Sequence, residues 1–268
     1  MYLFAFEYMR NAYLAGTFIA ITCGIIGVFV IARNMAFLAH TLAEIGFAGA
    51  AFGLFVGLTS LQGMLLFTIL SALFVGQLGD IANSTSQRES SISAVSGIFI
   101  GMGILFLSLA NKNASSATNI LFGSVIGISI HDVVQLICLS IIVLITITCI
   151  YRKLIFDSYD RIGARAQGLS KHWLSLLFLL LLAISVSISA QIVGSLLVFI
   201  LLTLPSSTAK YLGRTVPQML IIAVLCALIG VWLGLYLGYL TNLPVTFFIA
   251  LIEFILYFTA LLYYQHQH

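Results

Sequence analysis

Hydrophobic residues run through this chain in long unbroken blocks and not in narrow stripes. A helix that crosses a bilayer needs about 20 apolar residues. Nine blocks approach that length, at about 12–32, 36–57, 61–82, 91–110, 131–151, 173–190, 192–209, 217–239 and 244–264. The blocks at 173–190 and 192–209 are short and meet around Ser187 to Gly194 with no charged loop between them. Strands of a membrane barrel would instead alternate apolar and polar positions in short segments. The pattern predicts an all-α polytopic membrane protein of about nine transmembrane helices, folded as a single membrane domain over residues 1–268.

Composition removes the other classes. Hydrophobic residues make up 62% of the 268 and charged residues only 7%, and the mean hydropathy is +1.17. A soluble globular domain does not carry this balance, and no stretch is left over for one. The first block lacks a basic leader and a polar cleavage segment, so it is expected to stay as a span. The four cysteines, Cys23, Cys138, Cys149 and Cys226, fall inside apolar blocks without CxxC spacing. They read as packing residues and not as disulfides or a zinc cluster. No basic patch interleaved with aromatics points to nucleic acid.

The placement of the basic residues predicts orientation, because cytoplasmic loops collect Lys and Arg. Arg152, Lys153, Arg161, Arg165 and Lys171 cluster in one connection, which is expected to be cytoplasmic. Alternating outward from it also puts Arg33, Arg88, Lys210 and Arg214 inside, and leaves only Arg10 and Lys112 outside. Nine spans then place the N-terminus outside and the C-terminus in the cytoplasm. The carboxylates sort the same way. Asp157 and Asp160 fall in the cytoplasmic connection, Glu89 at the cytoplasmic mouth of the fourth span, and Asp132 beside His131 at the outer start of the fifth. Glu44 and Glu253 remain as the carboxylates at membrane depth.

Glu44 stands four residues after His40 in RNMAFLAHTLAEIGFAGAAFG, Arg33 to Gly53. Residues i and i+4 share a helix face, so an imidazole and a carboxylate project together into apolar surroundings. An ionisable side chain at mid-bilayer costs about 2.5–3.5 kcal/mol and marks an ion or substrate path. The pair fits a divalent-metal site inside such a path; the bland alternative is a hydrogen bond that only ties helices together. Ala43, Gly46, Ala48, Gly49, Ala50 and Ala51 let other helices come close, as do the spacings Gly97/Gly101 and Gly230/Gly234/Gly238.

Two connections stand out. Residues 111–130 are apolar from Asn119 onward but too short to span, which suits a re-entrant or interfacial helix. Phe156 to Trp173 is the most polar stretch, and a carboxylate at Asp160 with Gly168 after the last turn predicts a short helix over about 160–167. Such a helix is either a solvated loop obeying the charge rule or a docking element for a cytoplasmic partner. The chain has neither GxxxxGK(S/T) nor GxGxxG after a strand, so any ATP that drives it binds a separate subunit.

Several stretches together resemble one family, the membrane permease subunits of ABC importers for zinc, manganese and iron. They are Gly24 to Gly53, Arg88 to Ser108, Leu121 to Val133, the Asp160-to-Gly168 spacing of the polar loop, and QIVGSLLVFILLTLPSSTAKYL, Gln191 to Leu212, with Gly194, Pro205 and Ala209. The resemblance covers nearly the whole chain. It implies a type II ABC importer permease-like bundle with no catalytic residues of its own. Two permease copies would form a central pathway above two cytoplasmic ATP-binding subunits. An extracytoplasmic metal-binding protein would deliver the ion, and the complex would sit in the plasma or inner membrane. It implies metal contacts at His40 and Glu44 and ATPase coupling through Asp160, Ala164 and Gly168; Glu89, and Glu253 as a polar group extra to the family pattern, are secondary candidates for touching the ion. No cofactor is expected to be held permanently; the metal is the cargo, zinc first, otherwise manganese or iron.

The sequence departs from the family pattern in places. The family's polar pair is usually Asp-x-x-x-His, and here His40 and Glu44 stand in reversed order. Glu89 is followed by Ser90 where the family often has Glu-Asp, and the family's glycine after the Leu-Pro pair is absent at Val245. The terminal His266 and His268 are too few for a metal-sensing tract. Two rivals belong to other classes. An intramembrane zinc enzyme would need a third protein ligand that no motif supplies. A stand-alone secondary transporter or channel would use Glu44 and Glu253 as a proton relay and would run without an ATPase.

Overall fold

A computed structural model of the chain describes residues 6–78, 85–110, 121, 123, 128–160, 163 and 171–267. Nine helices and no strands occur among the described residues. They are α1 (Glu7–Ala32), α2 (Ala36–Val56), α3 (Ser60–Leu78), α4 (Thr85–Leu109), α5 (Ile130–Tyr159), α6 (Lys171–Val193), α7 (Ser195–Leu212), α8 (Val216–Thr241) and α9 (Val245–Gln267). Their order is that of the nine apolar blocks. Eight are long and apolar enough to cross a membrane, and α3 offers a shorter apolar stretch, Ser60–Val75. The end of the predicted third span and most of the expected re-entrant segment lie outside the described residues.

The helix ends have local causes. Asn34 and Asn242 take the left-handed conformation, both at φ 55°, just after α1 and α8. Asparagine tolerates that conformation at a helix end. Pro244 then precedes α9. Ser129 starts α5: its hydroxyl donates to Asp132 Oδ2 at 2.7 Å and accepts from the Asp132 amide at 3.2 Å. Gly194, at φ 89°, separates α6 from α7, so the expected break falls at the glycine and α6 runs on through Ser187 to Val193. α5 also runs further than expected, to Tyr159 and not to about 151. Apolar residues continue past the charged pair Arg152-Lys153, and Leu154 is fully buried. Asp157 is thereby a buried helical residue and not part of a loop.

The chain forms two compact units, one of Met1–Ala36, Ser124–Leu144 and Leu197–His268, the other of Phe37–Gly123 and Ile145–Leu196. In the first, α8 packs on α1 and on α9. The Trp232 indole donates to Thr17 Oγ1 at 3.0 Å, and Tyr13 donates to the Trp232 carbonyl at 3.3 Å. Gly24 on α1 lies against the backbone of Val224. The Gly230/Gly234/Gly238 ridge faces Glu253, Ile249 and Val245 of α9, the close crossing its spacing predicts.

In the second unit α3 packs on α6. Thr68 and Ser187 share a hydrogen bond of 2.7 Å across that contact, the kind of link that contributes about 0.6 kcal/mol in a membrane helix bundle. α2 crosses α3 where Gly49 and Gly63 place backbone against backbone. Phe52, Phe67, Phe99 and Phe106 form an aromatic cluster at centroid spacings of 5.2–6.5 Å. Two sequence expectations are corrected. No described residue lies within 4 Å of where a side chain on Gly97 or Gly101 would begin, so their spacing serves no crossing among the described residues. Cys23 and Cys226 are buried packing residues, but Cys138 and Cys149 are exposed on α5.

Candidate functional site

The second unit holds the pair that the sequence singled out. α2 is poor in bulk on the side that meets its neighbours. Gly49 admits the Gly63 carbonyl of α3, and Gly103 of α4 comes so close to Phe47 and Ala48 that a side chain there would collide with them. These contacts fix α2 between two helices. The face carrying His40, Ala43, Glu44 and Phe47, at i, i+3, i+4 and i+7, then lines a cavity of about 340 Å³. Ile100 and Ile104 of α4, Leu121, and Ser195 and Leu196 at the start of α7 complete the lining. Gly123 supports this wall by packing its backbone on Val193 and Gly194.

His40 Nε2 lies 3.4 Å from Glu44 Oε1, and the two side chains are 35% and 26% exposed. They are therefore reachable from the cavity and still walled mostly by apolar groups. Charge–charge interactions are stronger in such surroundings than in bulk solvent. The other carboxylate oxygen is also engaged: Ser96 of α4 donates its hydroxyl to Glu44 Oε2. The sequence pattern did not single out Ser96. The available signal was its register, one turn before Ile100 on the same face of α4.

The remaining predicted residues are placed elsewhere. Glu89 is exposed on the first turns of α4 and does not line the cavity. Glu253 belongs to the first unit, where it is fully buried against Gly230, and neither of its carboxylate oxygens is hydrogen-bonded among the described residues. Asp160 follows α5 and accepts the Gly163 amide at 2.9 Å through Oδ1, the bond of a helix N-cap. Ala164 and Gly168 lie outside the described residues. Among the described residues no three His, Cys, Asp or Glu side chains converge. The third ligand that a catalytic zinc requires is therefore missing from that set.

Known proteins resemble the chain along nearly its whole length. The manganese transport system membrane protein MntC of Listeria monocytogenes is 28% identical over 265 residues, covering 99% of this chain and 94% of that protein. The high-affinity zinc uptake system membrane protein ZnuB of Buchnera aphidicola is 24% identical over 240 residues, covering 89% and 91%. Among solved structures, PsaBC from Streptococcus pneumoniae in complex with Fab has the same fold, with a TM-score of 0.87 at 24% identity over 97% of this chain and 92% of that one. The model of the ABC 3 transport family matches residues 5–264, so the chain belongs to that family.

Proposed function

We propose that this chain is the membrane permease subunit of an ATP-driven importer for divalent transition-metal ions, and that His40 and Glu44 hold the ion in its path. The observation that carries this reading is the pair itself, an imidazole and a carboxylate one turn apart at an apolar cavity. Two ligands about 2.1 Å from one ion at the tetrahedral angle stand about 3.4 Å apart; at a right angle they stand about 3 Å apart. The 3.4 Å between Nε2 and Oε1 suits the first and needs only a small side-chain shift for the second. The pair thus accommodates zinc, and also manganese or iron. Relatives named for manganese and for zinc fit the same class of cargo.

Two ligands per chain hold an ion weakly, as a path requires. A second copy of the chain would bring a matching pair. Separate ATP-binding subunits would supply the energy, and an extracytoplasmic metal-binding protein would deliver the ion. Asp160, capping just after α5, marks where the coupling loop expected at about 152–172 leaves the helix, and we place the contact for the ATPase there. In this reading residues 1–268 act as a single permease domain in the plasma or inner membrane. A reporter fused behind His268 is expected to face the cytoplasm and one fused ahead of Met1 the outside. The opposite result for both overturns the orientation.

The test is radiolabelled uptake of zinc, manganese and iron into proteoliposomes that contain the chain, its ATPase and its binding protein. ATP-dependent uptake of one of the three is expected. Uptake that persists without the ATPase overturns the proposal in favour of a secondary transporter. Glu253→Gln and Glu89→Gln in the same assay report whether those carboxylates touch the ion.

A further inference from the structure

We propose that Ser96 is a positioning residue for the ion site: its hydroxyl holds Glu44 Oε2, so that Oε1 stays beside His40 Nε2 for the ion. The inference rests on the reading of His40 and Glu44 as ion ligands and adds a third residue, on a different helix, to their geometry.

Hydroxyls inside membrane helices commonly bond to the carbonyl four residues back on their own helix. Thr41 does so to Phe37, Ser185 to Leu181, Thr203 to Phe199 and Thr208 to Leu204, at 2.7–3.0 Å. Ser96 does otherwise. It is 4% exposed, and its hydroxyl crosses from α4 to the carboxylate of α2. A hydroxyl donating to an ionised carboxylate makes a short, strong bond. In the apolar wall formed with Ile100 and Ile104 that bond has little water to compete with it.

The bond also divides the carboxylate's work. Oε2 is occupied by the serine hydroxyl, and Oε1 faces the imidazole at 3.4 Å. Glu44 is thereby set to offer one oxygen to an ion instead of two. Without the hydroxyl the carboxylate is free to turn about its last torsion, and both oxygens compete for the ion or for water. Outer partners of this kind fix the orientation of metal ligands, and losing one costs about 10–100-fold in metal affinity. The arrangement further ties ion affinity to the packing of α4 on α2. A displacement of α4 that draws Ser96 away releases the carboxylate.

The experiment measures zinc and manganese affinity of the full chain in lipid nanodiscs by equilibrium dialysis, without a binding protein, for wild type and substituted chains. Ser96→Thr keeps the hydroxyl, and Ser96→Val has nearly the same shape without it. Zinc affinity within about twofold of wild type is expected for Thr, and a loss of about tenfold or more for Val and for Ser96→Ala. Added to Glu44→Gln, Ser96→Ala is expected to cause little further loss, because the two residues act as one unit. Equal affinities for the Thr and Val variants overturn the inference, as does a full additive loss on the Glu44→Gln background. If Ser96→Ala fails to fold, the Thr and Val pair still decides. Wild-type affinity in Glu44→Gln itself is a different failure, because it removes the ion site on which the inference rests.

Discussion

Glu44→Gln is expected to lower ATP-dependent uptake of the transported ion at least about tenfold in the reconstituted importer, the smallest loss typical of disturbing even an outer partner of a metal site. His40→Ala combined with Glu44→Gln is expected to bring uptake to background. The glutamine keeps the shape of the side chain and leaves an amide oxygen that Ser96 can still meet. What disappears is the negative charge, in a cavity whose other walls are apolar apart from Ser195: Ala43, Phe47, Ile100, Ile104, Leu121 and Leu196. A cation stripped of water there depends on that charge far more than it would in solvent. With the carboxylate gone, each chain retains only the His40 imidazole of the pair at this level. Recovery of the assembled complex in wild-type yield, by size-exclusion chromatography, separates loss of the site from loss of the fold. A well-assembled Glu44→Gln complex that transports at the wild-type rate sinks the assignment of His40 and Glu44, while the family membership stands.

The sequence disclosed what depends on one helix at a time. Apolar block length yielded the nine helices in order, and the four-residue spacing alone put His40 and Glu44 on one helix face. The Gly230/Gly234/Gly238 ridge reads as a close crossing and makes one with α9. Whatever depends on which face meets which neighbour was hidden. Gly97 and Gly101 have the same spacing as Gly230 and Gly234, yet meet nothing within the described residues. Hydropathy sums measure how long an apolar helix is and carry no azimuth, since a lipid-facing surface is as apolar as a packed one. Ser96 was hidden for the same reason, because its partner lies 52 positions away in sequence. The burial of Asp157 was hidden because two adjacent basic residues look like a helix end, although the apolar residues after them keep the helix packed.

The two kinds of glycine make the last prediction, and the contrast between them carries it. A side chain at Gly49 would point at the carbonyl of Gly63 and at Phe67 Cβ, while one at Gly63 would point at the carbonyl of Gly49 and the Cα of Gly53. Most of these neighbours are backbone, which cannot rotate out of the way. Gly49→Leu must therefore push α2 off α3. Overpacking a tight core costs about 1–3 kcal/mol and at times more, and a backbone–backbone crossing belongs at the upper end. The same push displaces α2 against α4 and so disturbs Glu44 on the same helix, which means metal uptake should fall together with thermal stability. Gly97→Leu meets open space among the described residues and is expected to leave the melting temperature of the isolated chain unchanged. The measurement is recovery of folded chain after a heating series, for both variants in detergent and again in the assembled importer. A Gly49→Leu chain as heat-resistant as wild type would overturn the α2–α3 crossing. A Gly97→Leu variant that is normal alone but fails in the importer would show that this face of α4 is covered by another subunit, and normal behaviour in both settings leaves it to lipid.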